Sequence, residues 1–147
     1  MNNTMINIEE SKIEYLNIEI LKNEINNIKE NPLQRNSNFQ LEYNVKMAHF
    51  YNLEKKLIRV IIDVDIIALN GDDRLSAGAK FEIDNYFHYS DLKKFAHPEK
   101  DRVLIELRFV EIVKGLAYST ARGIIHSKLA GTFLENTILP VKMSTDV

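Results

Sequence analysis

Residues 39–51, FQLEYNVKMAHFY, alternate, with Phe39, Leu41, Tyr43, Val45 and Met47 on one side and Gln40, Glu42, Asn44 and Lys46 on the other. That pattern predicts a half-buried strand, because successive strand side chains point to opposite faces. Residues 57–69, LIRVIIDVDIIAL, set Ile58, Val60, Ile62, Val64, Ile66 and Ala68 against Arg59, Asp63 and Asp65, which predicts the central strand. Asn70-Gly71 follows directly, a strong hairpin signal, since both central residues of a type I′ turn need φ > 0. The next run then returns with Leu75, Ala77, Ala79, Phe81, Ile83, Phe87 and Tyr89 on one side. Upstream, KIEYLNIEILKNEINNI (12–28) suits helix or strand. Its alternation of Leu16, Ile18 and Ile20 with Asn17 and Glu19 favours a first strand, with residues 31–38 as the connection.

After Pro98 the period lengthens. Val103, Leu104, Leu107 and Val110 share one face of a predicted helix that breaks near Lys114-Gly115, and a second helix runs from about Leu116 to Ala130, ended by Gly131. Strands followed by helices predict an α+β fold: a four-stranded antiparallel meander with two consecutive C-terminal helices on one face. Two short helices cannot cover both faces of a sheet. The second face of the central strand still carries Leu57, Ile61, Ile67 and Leu69, so a second subunit or a bound partner is expected to cover it.

A length of 147 residues suits one domain, 1–147, with residues 1–12 ahead of the ordered part. Cysteine is absent, which excludes disulfides, thiolate metal sites and a thiol nucleophile, and which fits the cytoplasm. No run approaches the ~20 apolar residues of a membrane helix, so insertion in a membrane is not expected. The 19 basic and 21 acidic side chains are interspersed, leaving no basic stripe for nucleic acid.

Little suggests catalysis, and neither a metal nor another cofactor is expected. His49, His88, His97 and His126 fall at no metal-ligand spacing. Asp63 and Asp65 could pair as acid and base, but a solvated strand face accounts for them equally. The acidic turn after Asn70 lacks the ligand spacing of a calcium loop. Among the aromatics, Phe81, Phe87 and Tyr89 share the parity of the core row, while Tyr86 has the other parity and Phe95 lies in the following loop. Tyr86 and Phe95 are therefore the better candidates for exposed apolar surface. The candidate polypeptide-binding set is Tyr86, Phe87, Tyr89, Phe95, Ile61 and Leu69.

Four strands, a tight hairpin, two helices and the residues Ala121-Arg122, Ile125, Ser127, Gly131-Thr132-Phe133 and Pro140-Val141 together resemble the SecB family of export chaperones. Phe133 and Pro140 keep the family's seven-residue spacing. The resemblance implies a homotetramer, a dimer of dimers, that holds unfolded polypeptides in apolar grooves without ATP. It also implies a use for the small residues of the second helix: Ala117, Ala121, Gly123 and Ala130 would let another backbone approach at an oligomer interface. The family's partner motor, SecA, is a weaker expectation, because the Cys/His-bearing tail that engages it is not in this sequence. A chaperone dedicated to one labile partner, such as an antitoxin, is the alternative. A hot-dog thioesterase is a third reading, opposed by helices that come late in the chain.

Overall fold

The alternation along residues 40–70 becomes two long paired strands. A computed structural model describes residues 7–26, 40–70, 73–135 and 137–140. Strand β1 spans Glu14–Asn26, β2 Gln40–Asn52, β3 Leu57–Asn70 and β4 Asp73–His88. All pairings are antiparallel, β2 with β3 from Gln40 opposite Leu69 to Asn52 opposite Leu57, and β4 with both β3 and β1. Between β2 and β3 the chain turns through 53–56, with Lys56 at φ 57° and the Asn52 side-chain oxygen accepting the Lys55 N–H at 3.0 Å. The predicted Asn70-Gly71 hairpin closes with Asn70 opposite Asp73; Gly71 and Asp72 lie outside the described residues.

The sheet is four-stranded and antiparallel as expected, but only β2, β3 and β4 form a meander. The order is β1-β4-β3-β2, so β1 lies beside β4 rather than beside its sequence neighbour. Burial favours that placement: Phe81, Ile83 and Phe87 of β4 are at most 2% exposed, and such a row needs a strand on each side. The connecting segment, residues 31–38 included, lies outside the described residues, as do Phe39 and Val141.

Beyond the sheet the sequence reading needs two corrections. Val103 and Leu104 do not open a helix; they belong to β6 (Arg102–Ile105), which pairs with β5 (Ala96–Glu99) in a separate hairpin. One helix, α1 (Leu107–Leu129), then replaces the expected two. It runs straight through Gly115, because the buried row Phe109, Val113, Ala117, Ala121, Ile125 and Leu129 anchors it on both sides of the glycine. Packing of an apolar face outweighs the ~1 kcal/mol by which glycine disfavours a helix. Gly131 does close the helix, at φ 79° in a turn where Thr132 N–H donates to Leu129 O at 3.0 Å.

The core lies between α1 and one sheet face, where Ile58, Val60, Ile62, Val64, Ile66 and Ala68 of β3 are all at most 1% exposed. Leu41, Tyr43, Val45 and Met47 of β2 pack against its margin. So do Ile8 and Ile13, which ties residues ahead of β1 to the domain. Asn85 is the polar exception on this face. Its amide donates to Val60 O at 3.1 Å, and its oxygen accepts from the Tyr15 hydroxyl at 3.3 Å.

Candidate functional site

The sheet face turned away from α1 is built from the other parity of each strand. Across its middle run charges, with Lys46, Asp63 and Glu82 in one cross-strand row and Asp65 opposite Lys80 in the next. Asp63 and Asp65 thus belong to two successive charged rows, each with one lysine beside it, Lys46 and Lys80 respectively. Nearer one end the row becomes Phe50, Arg59 and Tyr86. Arg59 holds the Asp84 carboxylate with both Nε (3.0 Å to each oxygen) and Nη2 (2.7 Å), and the Tyr86 hydroxyl donates to the same carboxylate at 2.9 Å. Its guanidinium carbon lies 5.9 Å from the Phe50 ring centre and 5.6 Å from that of Tyr86. The hydrogen bond to Asp84 raises the Tyr86 pKa, so the hydroxyl remains a donor. Aromatic rings and a guanidinium thus lie side by side on this face, with Phe50 53% exposed.

Of the candidate polypeptide-binding residues, this face holds Tyr86, Ile61 and Leu69, all half-buried. Leu69 is eight positions along β3 from Ile61, about 27 Å at ~3.4 Å per residue, so the two do not share one small site. Phe87, Tyr89 and Phe95 must be reassigned, for all are at most 1% exposed in the core. Phe87 follows its parity and meets the Tyr15 ring at 4.2 Å. Phe95, expected in a loop, closes a short 3-10 helix (Leu92–Phe95) and stacks on Phe109 at 5.2 Å, and Phe109 stacks in turn on Tyr89 at 5.3 Å.

The helix residues also divide. Ala117 and Ala121 are fully buried against the chain's own sheet, so they are not available to another subunit. Gly123 and Ala130 are exposed. Helix geometry requires this split: at about 100° per residue, Gly123 is turned about 200° from Ala121. The outward face instead carries Gly115, Ser119, Gly123 and Ser127, each four residues from the last. A Cβ added at Gly115 or Gly123 would meet nothing within 4 Å, so nothing among the described residues calls for glycine at either position.

Two further features were not anticipated. Tyr15, Leu16, Ile18, Ile20 and Leu21 of β1 are 37 to 53% exposed, on a strand whose outer edge has no neighbour among the described residues. Tyr15 reaches the helix, donating to Thr120 Oγ1 at 2.9 Å and Leu116 O at 3.2 Å. The second feature is a groove of about 280 Å³ between the C-terminal half of α1 and residues 137–139, bounded on the helix by Arg122, Gly123, Ile125 and His126. Beside it the Tyr118 hydroxyl donates to Pro140 O at 2.6 Å and Arg122 Nε to Leu139 O at 3.1 Å. Burial raises the Tyr118 pKa, which keeps it a donor. Among the described residues no three His, Asp or Glu side chains converge as a metal site, and no helix is long and apolar enough to cross a membrane.

No family model matches the sequence, and neither does any curated protein. Among solved structures, the Mycobacterium tuberculosis SecB-like chaperone Rv1957, in complex with a ChAD peptide from the Rv1956 HigA1 antitoxin, superposes with a TM-score of 0.60. The match covers 90% of this chain and 92% of that one, at 14% identity. The fold is SecB-like. Within that fold the motif residues have structural roles here: Ala121 and Ile125 face the sheet, Gly131 turns the chain, Phe133 packs on the core, and Arg122 and Tyr118 hold the carbonyls of Leu139 and Pro140.

Proposed function

We propose that this SecB-like protein is a chaperone that holds non-native polypeptides on apolar surface, with neither ATP nor a catalytic step, and that it works as a dimer of dimers in the cytoplasm. The observation that carries the reading is the match in fold, over nearly all of both chains, to a chaperone solved with a peptide in complex. Exposed apolar side chains along β1 supply surface that a second copy or a client would cover. Such binding draws on the hydrophobic effect and on main-chain pairing at strand edges, and both tolerate many client sequences. The antitoxin peptide in the neighbouring structure favours one narrower version, a chaperone dedicated to a single labile partner. The test is suppression of aggregation of a chemically unfolded protein in nucleotide-free buffer; aggregation at the unprotected rate would contradict the proposal.

Two variants separate assembly from client binding. Gly123→Leu is expected to dissociate the oligomer while leaving the protomer folded, since the added side chain has free space within its own chain but not against a second helix. Sedimentation velocity and circular dichroism check this, and an intact oligomer would remove Gly123 from the interface. Phe50→Ser is expected to weaken client capture by about tenfold, ~1.4 kcal/mol, as for a contact-surface aromatic, with the oligomer unchanged. Unchanged capture would take the Phe50, Arg59 and Tyr86 cluster out of the client surface.

A further inference from the structure

The four-stranded sheet has two edges, and their ladders differ. The pairing of β1 with β4 slips twice, between Tyr15 and Asn17 and between Ile20 and Lys22, which leaves Leu16 and Leu21 out of the register. Such bulges bend and twist a strand and make its outer edge a poor template for a further strand. All 13 residues of β2 instead pair with β3 without a slip, and Gln40–Asn52 contains neither proline nor glycine. In an antiparallel ladder every second residue turns both its N–H and its C=O away from a given neighbour, so half of β2 offers these groups outward, where no strand lies alongside among the described residues. The side chains give the same indication. Leu41, Tyr43, Val45 and Met47, on the helix side, are half-buried, whereas the row beside them on β3 is buried throughout. A fifth strand would cover what β2 leaves partly open.

We propose that the outer edge of β2 binds an extended segment of a client as a fifth strand of the sheet. The inference rests on the chaperone reading above. Backbone pairing supplies affinity for any sequence, and the helix-side row supplies a preference: apolar residues at every second position of the client would continue the row of Leu41, Tyr43, Val45 and Met47. A second copy of β2 is a poorer occupant. In the antiparallel register that pairs the whole of Gln40–Asn52 with its copy, residue 46 falls on the two-fold axis, and Lys46 faces the same lysine of the copy. Like charges directly opposite destabilise a pair, and a lysine in mid-strand guards an edge against its own kind. A client strand brings no such clash, and one with an acidic residue opposite Lys46 is favoured.

The test uses the full chain and reduced, carboxymethylated α-lactalbumin, which cannot refold. Amide hydrogen exchange in peptides from 40–52 should slow by about tenfold or more when this client is bound, because the outward amides of β2 gain partners. Exchange there that is unchanged or faster, with client demonstrably bound, overturns the proposal and leaves the chaperone reading standing. Failure to bind the client at all overturns both. Asn44→Pro and Val45→Pro give a second measurement. Neighbouring amides of a strand point in opposite directions, so one of these substitutions breaks the ladder to β3, while the other removes an outward donor from an edge that tolerates proline. The latter should stay folded by circular dichroism and bind the client about tenfold more weakly. Parental affinity in every folded proline variant contradicts the proposal, and should neither fold, the exchange measurement on the unaltered chain decides.

Discussion

Gly78→Val is expected to remove about 3 kcal/mol or more of stability, the largest loss from any single substitution considered, with much of the protein unfolded at concentrations of urea the parent tolerates. Gly78 lies in β4 opposite Ile67 of β3 and Asn26 of β1, beside the irregularity between Ile67 and Leu69. A Cβ there would overlap the carbonyl oxygen of Ile66 and stand 3.2 Å from its carbonyl carbon and 3.5 Å from Ile67 Cα. All three are backbone atoms of the neighbouring central strand. They cannot yield as a flexible side chain would, so relief requires opening the β3–β4 ladder where β4 is most buried. Urea denaturation followed by circular dichroism gives the answer, and a parental midpoint would refute the β3–β4 register.

Arg59→Leu is expected to lower stability near neutral pH, more through what it leaves behind than through what it removes. The Asp84 side chain is 1% exposed while that of Arg59 is 42% exposed. Water screens the cation's half of the pair, which reduces its attraction, but the carboxylate would keep only the Tyr86 hydroxyl. Adding Asp84→Asn should therefore recover part of the loss, because the stranded charge is gone. Chemical denaturation of the two single variants and the double variant forms a double-mutant cycle. Additive effects would mean that the pair is not coupled.

Much of this architecture was legible along the chain, for a definite reason. β2, β3 and β4 each bury one face, so a period of two is written into residues 40–88, and Ile58 to Ala68 form an unbroken core row as predicted. Strand order was not legible, because alternation records which face is buried and not which strand lies alongside; β1 beside β4 depends on pairing across some 60 residues of sequence. Val103 and Leu104 fit a helical period by coincidence with Leu107 and Val110, although Pro98 already marked the hairpin that holds them.

The site was less legible than the fold. Phe95 looked exposed because its loop is local, whereas the partner that buries it, Phe109, is 14 residues on and enters from the helix. The Arg59–Asp84 pair spans 25 residues and needs the β3–β4 register before it can be seen. The interface residues could have been sorted by arithmetic alone, since about 100° per residue places Ala117 and Ala121 together and Gly123 opposite them. On the outward face, Gly115 and Gly123 are positions where an added Cβ meets nothing among the described residues.

The central claim, a self-assembled holder of unfolded chains, is tested most directly by light scattering on the purified protein, alone and mixed with reduced, carboxymethylated α-lactalbumin in nucleotide-free buffer. The account predicts a tetramer that elutes together with the client. A monomer that leaves the client free would contradict it.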